Sequence, residues 1–293
     1  NNVIKEQTPK RGRKIYRTNV ALSEFARHNS MLHSVITFNM ELKSTPYGCG
    51  DVCWLRRSRM GISPLLANIY LHYVFDLWAD RWRRHHAQGN VIIVRYADDS
   101  VVGFEHEADA RRFLADMRQR LEQFALSLHP DKTRLIEFGR YAIEHRAERG
   151  LGKPETFNFL GFTHISGRSR RGTFQLKRKT RRDRMCTKLK GIKDELRRRM
   201  HLPIPVQGKW LRQVVRGYFA YHAVPTNIKS LSAFRNCVVD LWRRALRRRS
   251  QKDRTTWARI ARIASDLLPT PRILHPWPSV RFSVKHPRWE PGA

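Results

Sequence analysis

The chain has 293 residues, of which 58 are Lys or Arg and 25 are Asp or Glu, and its formal net charge at pH 7 is +33. This length can bury a core, and the 41% hydrophobic residues with 8 Trp exclude a wholly disordered protein. A compact fold with this charge repels itself unless a polyanion binds, so nucleic acid is the expected partner and a membrane surface the weaker alternative.

The first 58 residues are the least organised part of the chain. Basic and polar side chains dominate, and no stretch keeps a helical or strand period for long, so we expect residues 1–58 to be an atypical, poorly ordered segment. The character changes at Ser63 and Pro64, which suit the N-cap and first position of a helix running to about Arg84. Apolar residues follow at helical spacing: Leu66, Ile69, Tyr70, Tyr73, Val74, Leu77 and Trp78.

Two adjacent carboxylates stand between two apolar runs. Residues 91–95 and 100–104 are rich in β-branched side chains and flank the tetrapeptide 96–99, which predicts a β-hairpin with Asp98 and Asp99 at its tip. Asp is common at turns, so a solvated corner is one interpretation. Carboxylate oxygens also suit Mg²⁺, which commonly takes one or two protein carboxylates. The motifs that follow favour a cation site.

The next elements complete an α+β pattern. A second amphipathic helix is predicted over residues 107–125, followed by a turn at 128–133, a strand at 134–138 and a hairpin at 156–164. Helices that alternate with hairpins in this way predict a small antiparallel sheet with packed helices.

A strongly basic segment follows, and residues 168–254 carry about two-thirds of the excess positive charge. Three helices are predicted here, over residues 177–200, 209–222 and 228–248. The arginine runs 197–199 and 247–249 have few nearby acids in the sequence and indicate phosphate contacts. After Leu268 the chain is rich in proline, which predicts an extension without regular structure.

The four cysteines do not form a framework. Cys49 and Cys53 have a spacing that could begin a zinc site, but Cys186 and Cys237 stand alone, so we expect reduced thiols. No apolar run reaches the length of a membrane span, and the basic N-terminus does not resemble a signal peptide. We therefore expect a cytoplasmic protein without a membrane partner.

The order of four motifs is more specific than any one of them. They are Gly61-Ile62-Ser63-Pro64-Leu65-Leu66-Ala67-Asn68-Ile69-Tyr70-Leu71, Tyr96-Ala97-Asp98-Asp99, Leu128-His129-Pro130-Asp131-Lys132-Thr133 and Phe157-Asn158-Phe159-Leu160-Gly161-Phe162. This series resembles the palm of bacterial group II intron reverse transcriptases. Residues 211–221 and 273–278 look like the maturase-specific thumb region and the C-terminus of that family, and the resemblance covers about residues 61–282.

The resemblance implies roles for these residues. Asp98 and Asp99 would hold two Mg²⁺ ions, which activate the primer 3′-hydroxyl and stabilise the leaving pyrophosphate. Nucleotide and template contacts are implied for Gly61, Ser63, Pro64, Asn68, Tyr96, Ala97 and Lys132, although a solvated turn also accounts for the lysine. Phe159, Leu160 and Gly161 would grip the primer. The implied substrates are an RNA template with a DNA primer and a dNTP.

The basic segment would then form the thumb and a surface for structured intron RNA. The residues expected to bind RNA are Lys177, Arg178, Lys179, Arg181, Arg182, Arg197, Arg198, Arg199, Arg212, Arg216, Arg247, Arg248 and Arg249. Binding there should be salt-sensitive and guided by RNA shape. The predicted segments are residues 1–58 (atypical), 59–166 (partial palm), 167–255 (basic helical thumb and maturase region) and 256–293 (C-terminal extension).

The chain departs from the family pattern in its N-terminal part. The family has a further metal-binding Asp on a strand well upstream of the acidic hairpin, and the nearest acid here, Asp51, stands in a context that does not match. Arg59-Met60-Gly61 replaces the usual Gln-Gly-Gly. We expect that residues 1–58 are not native to this fold, through truncation, deletion or a frame disturbance, and that a centre short of one carboxylate holds its metals poorly.

Three hypotheses follow from the sequence. The first is an RNA-directed DNA polymerase that is also the maturase of a group II intron, in a truncated or catalytically impaired form. The second is a non-catalytic RNA-binding splicing factor with a vestigial polymerase site. The third is a reverse transcriptase of a retron or a diversity-generating element, which the long basic segment after Phe162 disfavours.

Overall fold

The computed structural model describes residues 32–42, 63–249 and 255–277, which form small antiparallel sheets with packed helices, as the α+β pattern predicted. The chain divides into two compact units, residues 1–136 and 137–293. The segment boundaries derived from the sequence stay predictions. Among the described helices, none has the length and apolar character needed to cross a lipid bilayer.

The first unit is built around a five-stranded sheet. Its elements are β1 (Ser34–Leu42), α1 (Ser63–Leu71), a π-helical turn (His72–Asp76), α2 (Leu77–His85), β2 (Val91–Tyr96), β3 (Asp99–Phe104), α3 (Glu107–Glu122), β4 (Leu126–Leu128), a 3₁₀ turn (Pro130–Lys132) and β5 (Arg134–Glu137). The strand order is β2-β3-β1-β4, and β5 also pairs with β1. The acidic hairpin β2–β3 therefore lies at one side of the sheet, and its strand β3 pairs with the central strand β1.

The central strand β1 lies in the segment that we predicted to be poorly ordered. Residues 34–42 instead pair antiparallel with β3 and β4. Val35, Ile36, Phe38 and Met40 are all buried. From Ile36 to Leu42 apolar and polar residues alternate strictly, which is a strand signal that the sequence analysis did not use. The rest of the 1–58 prediction falls on residues 1–31 and 43–58, which lie outside the described residues.

A shared core fixes the helices of the first unit against the sheet. Trp82 of α2 meets Phe113 of α3 with ring centroids 5.0 Å apart and planes at 84°, and Phe104 of β3 lies 5.3 Å from Phe113. The edge-to-face pair of Trp82 and Phe113 contributes about 0.5–1.5 kcal/mol beyond the area that it buries. The acidic hairpin is thus attached to a rigid base.

The π turn separates α1 from α2. The amide of Leu77 bonds to the carbonyl of His72, an i→i+5 contact that adds one residue to the turn. A stripe drawn at a constant 3.6-residue spacing therefore does not continue on the same face beyond the turn. Before the turn, residues 65–70 are all exposed. Of the predicted stripe, Val74 is buried and Trp78 half-buried, whereas the exposed members are Leu66, Ile69, Tyr70, Tyr73 and Leu77.

The second unit contains a three-stranded sheet and a helical region. Its elements are α4 (Ala142–Glu148), β6 (Phe157–Phe159), β7 (Phe162–Arg168), β8 (Phe174–Thr180), α5 (Arg182–Arg198), α6 (Ile204–His222), α7 (Ile228–Arg247) and α8 (Trp257–Leu267). The helix predicted from Lys177 begins instead at Arg182, because residues 174–180 pair with β7. The sequence analysis did not predict α4 or α8.

A buried carboxamide joins three helices of the second unit. The Trp242 indole N–H of α7 donates to Gln207 Oε1 at 2.8 Å. The Gln207 amide in turn donates to the carbonyls of Arg199, Met200 and Leu202, at 2.6, 3.1 and 3.3 Å. These carbonyls belong to the end of α5 and the turn after it, where a helix leaves its last carbonyls without internal partners. The α5–α6 turn is thereby fixed to the core.

Candidate functional site

The acidic turn joins β2 and β3 as a two-residue connection. Tyr96 pairs with Asp99, which leaves Ala97 and Asp98 at the tip. Ala97 has φ of 55°, in the left-handed region that a residue with a Cβ rarely adopts. Asp98 and Asp99 are both exposed. Their carboxylates are therefore open to solvent and to any incoming ligand.

A buried asparagine of the central strand binds both carboxylates. Asn39, 6% exposed, stands opposite Asp99 in the β1–β3 register. Its Nδ2 donates to Asp98 Oδ2 at 2.8 Å and to Asp99 Oδ1 at 3.0 Å. Ionised carboxylates only accept hydrogen bonds, which accounts for the amide presenting its nitrogen to both. Asn39 thus holds the two acids together through a neutral donor.

An arginine connects the helix to the acidic turn. Arg95 of β2 donates from Nε and Nη2 to the two oxygens of Asp76, each at 2.7 Å. Its Nη1 donates to Asn68 Oδ1 at 3.0 Å and to the carbonyl of Ala97 at 2.9 Å. The planar guanidinium can make these bonds at once because its five N–H groups lie in a fixed fork. Arg95 therefore links α1, the π turn and the left-handed residue of the acidic turn.

The residues expected to contact nucleotide and template have different positions in the structure. Asn68 is exposed on α1 and joins the turn through Arg95, and Tyr96 is 53% exposed beside the acids. Ser63 and Pro64 begin α1, but their side chains lie outside the description, as does Gly61 entirely. The structure thus brings Asn68, Tyr96 and the acidic turn together.

Lys132 lies in the 3₁₀ turn after β4 and is exposed. This turn approaches β1, since the amide of His129 donates to the carbonyl of Asn39 at 3.0 Å. The amides of Lys132 and Thr133 both return to the His129 carbonyl, at 3.3 and 3.0 Å. The turn that carries Lys132 is therefore tied to the same residue that binds the two acids.

The donor set fits one magnesium ion better than two. Asp98 and Asp99 supply two carboxylates, which is the usual protein contribution to a single Mg²⁺. Two ions about 3.5–4 Å apart share several anionic ligands. Asn39 adds no charge, and its amide occupies one oxygen of each acid. Among the described side chains, no third carboxylate bonds to this cluster.

The predicted primer grip is the tip of a hairpin in the second unit. Leu160 and Gly161 connect β6 to β7 with φ of 47° and 76°, as in the two-residue turns that require positive φ at both positions. Phe159 before them is buried. The carbonyl of Gly161 accepts from the amide of Arg181 at 3.0 Å, and the carbonyl of Leu160 accepts from the Tyr221 hydroxyl at 2.9 Å. The tip is therefore anchored from α6 and from the end of β8.

The inner face of the three-stranded sheet contains a buried histidine. His164 stacks on Phe157 at 4.8 Å with the planes 4° apart, and it stands opposite Arg178 in the β7–β8 register. Burial first, and the positive charge of Arg178 second, lower the pKa of His164 to about 3. Burial also lowers the pKa of Arg178. Arg178 is thus partly withdrawn from solvent, unlike its exposed neighbour Lys179.

The other cations expected to bind RNA divide into exposed and locally paired side chains. The exposed ones, with Lys179, are Arg182, Arg197, Arg198, Arg212, Arg216, Arg247 and Arg248, and the half-buried ones, with Arg178, are Lys177, Arg181, Arg199 and Arg249. Glu195 accepts from Arg198 at 3.4 Å and from Arg199 at 2.6 Å. Arg181 pairs with Asp183 at 2.6 Å, and Arg249 donates to the carbonyl of Leu202. Each arginine run therefore contains at least one guanidinium engaged within the protein.

Part of the chain matches a known family. Residues 59–164, about a third of the chain, match the family model described as reverse transcriptase (RNA-dependent DNA polymerase). This stretch contains α1, the acidic hairpin and the β6–β7 tip. No curated protein sequence matches the chain.

One solved structure is similar over most of the chain. It is telomerase from Candida albicans in complex with a TWJ fragment of telomeric RNA, which aligns with 93% of this chain at 10% identity and a TM-score of 0.42. The alignment covers 48% of the telomerase chain, so this protein spans about half of that length.

Three residues that bond to the predicted site residues of the two units were not anticipated from the sequence: Asn39 and Arg95 in the first unit, and Tyr221 in the second. Asn39 follows a run of apolar and β-branched residues, which was a usable strand signal. Arg95 adjoins the acidic tetrapeptide, but its partner Asp76 lies 19 positions earlier. No local signal identifies the contact of Tyr221 with Leu160, 61 residues apart.

Proposed function

We propose that this protein is a maturase-type member of the group II intron reverse transcriptases, which binds structured intron RNA and has an impaired polymerase site. One observation carries the second half of this proposal: a neutral amide, that of Asn39, bridges the two carboxylates of the acidic turn. The match of residues 59–164 to the reverse transcriptase family supports the class. The resemblance of residues 211–221 to a maturase thumb supports the intron partner.

The acidic turn would hold a metal only weakly. Asp98 and Asp99 are the residues that would bind Mg²⁺, which supplies positive charge against developing negative charge on transferred phosphates. Asn39 binds one oxygen of each carboxylate, and those bonds must be exchanged before the oxygens are free. A third carboxylate in place of the amide would instead attract the cation. This chain therefore positions its acids for a metal but reduces its affinity for one.

The second unit supplies the surface for RNA. Exposed arginines lie on α5, α6 and α7, among them Arg197, Arg212 and Arg247. Guanidinium groups suit phosphates because they donate in a planar fork. Such contacts release counterions, so affinity should fall steeply as salt rises.

A second candidate function is an active RNA-directed DNA polymerase with RNA template, DNA primer and dNTP as substrates. The exposure of Asp98 and Asp99 favours it, because both carboxylates can reach a ligand. Arg95 also favours it, since its hydrogen bonds to Asp76 and to the Ala97 carbonyl fix the position of the acidic turn. The two candidates differ in whether Asn39 prevents catalysis.

Two assays on the purified chain separate these functions. The first measures binding and splicing of a structured group II intron RNA over a series of salt concentrations. The second measures Mg²⁺-dependent extension of a DNA primer on an RNA template. We expect salt-sensitive RNA binding with splicing assistance, and little or no primer extension.

The variants Asn39→Asp and Asp98→Ala test whether the polymerase site is impaired or active. Asn39→Asp should raise primer extension, because a third carboxylate increases the affinity for the metal, and should leave RNA binding unchanged. Robust extension by the unaltered chain that Asp98→Ala abolishes would establish the polymerase and refute the impaired site. Failure of RNA binding even at low salt would refute the maturase proposal.

A further inference from the structure

A groove lies between helices α5 and α6 on the basic helical region. Its volume is about 480 Å³, within the range of about 300–1,000 Å³ typical of small-ligand sites. Ile192 and Val214 line it with apolar surface, together with Gly191 and the ring of Trp210. It is an aromatic and apolar recess in a surface that is otherwise strongly cationic.

Gly191 keeps the groove open. A Cβ built at this position meets no atom within 4 Å, so the absent side chain leaves space rather than avoiding a clash. Gly is among the least favourable residues in a helix interior, and Gly191 lies in the middle of α5. A Cβ at this position would therefore add bulk to the lining of the groove without a clash.

The ring of Trp210 is held in place by contacts within the protein. The guanidinium of Arg199 lies 5.0 Å from the ring centroid, and Arg199 is itself fixed by Glu195 at 2.6 Å. A cation over an indole face is a favourable arrangement. The half-buried indole therefore offers a preorganised surface to the groove. The Trp210 side chain would lose little conformational freedom when a planar ligand binds.

Two cations, Arg184 and Lys188, also line the groove. They lie one helical turn apart on α5 and are both exposed. In the part of the chain that the structure describes, no carboxylate pairs with either of them, in contrast to Arg181 and Arg199 nearby. Their charge is available to an anion beside the apolar recess.

We propose that this groove binds one unpaired nucleotide of a bound RNA. Its base would lie against Trp210 over Gly191, and its phosphates would contact Arg184 and Lys188. The site rests on the proposed RNA-binding function and adds to it a preference for bulged or looped nucleotides. Base–aromatic stacking tolerates every base, so the site selects an unpaired position rather than a sequence. An apolar protein segment fits worse, because the two free cations would be left beside it.

The test compares two RNA hairpins by fluorescence anisotropy, one fully paired and one with a single bulged nucleotide. We expect the bulged hairpin to bind roughly tenfold more tightly, as for one stacked base. A third hairpin with an abasic bulge keeps the flexible backbone but lacks the base, and it should bind no better than the paired one. This third probe separates stacking from backbone flexibility.

Gly191→Leu provides the decisive variant. Leu favours the helix and fills the groove, so the protein should stay folded, keep its affinity for the paired hairpin and lose the preference for the bulge. Gly217→Leu is the matched control, because Gly217 is also exposed in a helix with nothing within 4 Å of its Cβ but does not line the groove. It should keep the tenfold preference.

Each outcome decides the proposal. Equal affinity of the unaltered chain for all three hairpins overturns the nucleotide site and leaves RNA binding intact. A preference that persists in Gly191→Leu also overturns the site, since the bulge is then bound elsewhere. Binding of no hairpin at low salt refutes the proposed function, and the nucleotide site with it.

Discussion

The hydroxyl of Tyr221 donates a 2.9 Å hydrogen bond to the carbonyl of Leu160, and the ring of Tyr221 stacks on Phe162 at 5.7 Å. These contacts join the last turn of α6 to the β6–β7 tip. Leu160 occupies the left-handed region, where its Cβ is unfavourable, so the tip needs external support. Tyr221 supplies that support from a helix rather than from the sheet.

We predict that Tyr221→Phe weakens the tip but preserves the stacked ring. The loss of one hydrogen bond should lower the free energy of unfolding by about 0.5–1.5 kcal/mol in urea titration. Amide exchange at residues 160–161 should accelerate. Tyr141→Phe, which alters another exposed tyrosine of the same unit, is the control and should change neither quantity. Unchanged exchange at the tip in Tyr221→Phe would contradict the prediction.

Arg95→Lys should destabilise the first unit although the charge is kept. A lysine ammonium cannot bind both oxygens of Asp76 and also reach Asn68 and the Ala97 carbonyl. The loss of two or three hydrogen bonds should lower the free energy of unfolding by roughly 1–3 kcal/mol. Arg81→Lys, on the exposed side of α2, serves as the control and should have no effect. Equal stabilities of the two variants would refute the bridging role of Arg95.

Asn39→Asp should make the stability of the protein depend on magnesium. Without metal, three carboxylates repel one another, so the melting temperature should fall. Saturating Mg²⁺ should restore roughly 1–3 kcal/mol, because a ligand that binds only the folded state stabilises it. Asn236→Asp adds the same charge at an exposed position of α7 and should show no such response. If Mg²⁺ does not change the melting temperature of Asn39→Asp, a metal site at this turn is excluded.

His164→Phe should remove part of the acid sensitivity of the protein. The pKa of His164 is about 3 in the folded state, against 6.5 ordinarily, so the unfolded chain takes up a proton that the folded chain refuses. Stability is therefore lost as pH falls below 6.5, by ~2 kcal/mol between pH 7 and pH 5. Phe keeps the stacking on Phe157 and does not titrate.

Urea titrations at the two pH values check this prediction. The loss of stability between pH 7 and pH 5 should be about 2 kcal/mol smaller in His164→Phe than in the unaltered chain. His201→Phe replaces an exposed histidine and should leave the loss unchanged. An identical loss in His164→Phe would show that His164 does not govern it.

The acidic hairpin could be predicted because its information is local. Two β-branched runs and a two-residue tip specify both strands, and the structure has them at Val91–Tyr96 and Asp99–Phe104. The catalytic and binding roles of Asp98, Asp99 and Lys132 stay predictions. What the structure adds is that the turns carrying them both bond to Asn39.

The central strand and β8 could not be assigned in the same way. Apolar and polar residues of β1 do alternate from Ile36 to Leu42, but this short run lies in a basic and polar segment and was not recognised as a strand. The partner of Asn39 lies 59 positions away, so no local pattern indicates that contact. β8 does alternate, with Phe174 and Leu176 against Lys177 and Lys179, but its basic end merges in sequence with the helix that begins at Arg182. The pairing of Glu195 with Arg198 and Arg199 could have been predicted from the sequence, because the three residues stand at i, i+3 and i+4 of one helix.

The Gln207 carboxamide determines which parts of the helical region unfold together. Its nitrogen holds the three carbonyls of the α5–α6 turn while its oxygen accepts from the buried Trp242 indole. Loosening that turn would strand polar atoms in a dry interior, a cost that makes partial melting unfavourable. We therefore expect amide hydrogen–deuterium exchange to occur in one concerted step at the end of α5, the start of α6 and the middle of α7, and not by separate fraying of each helix.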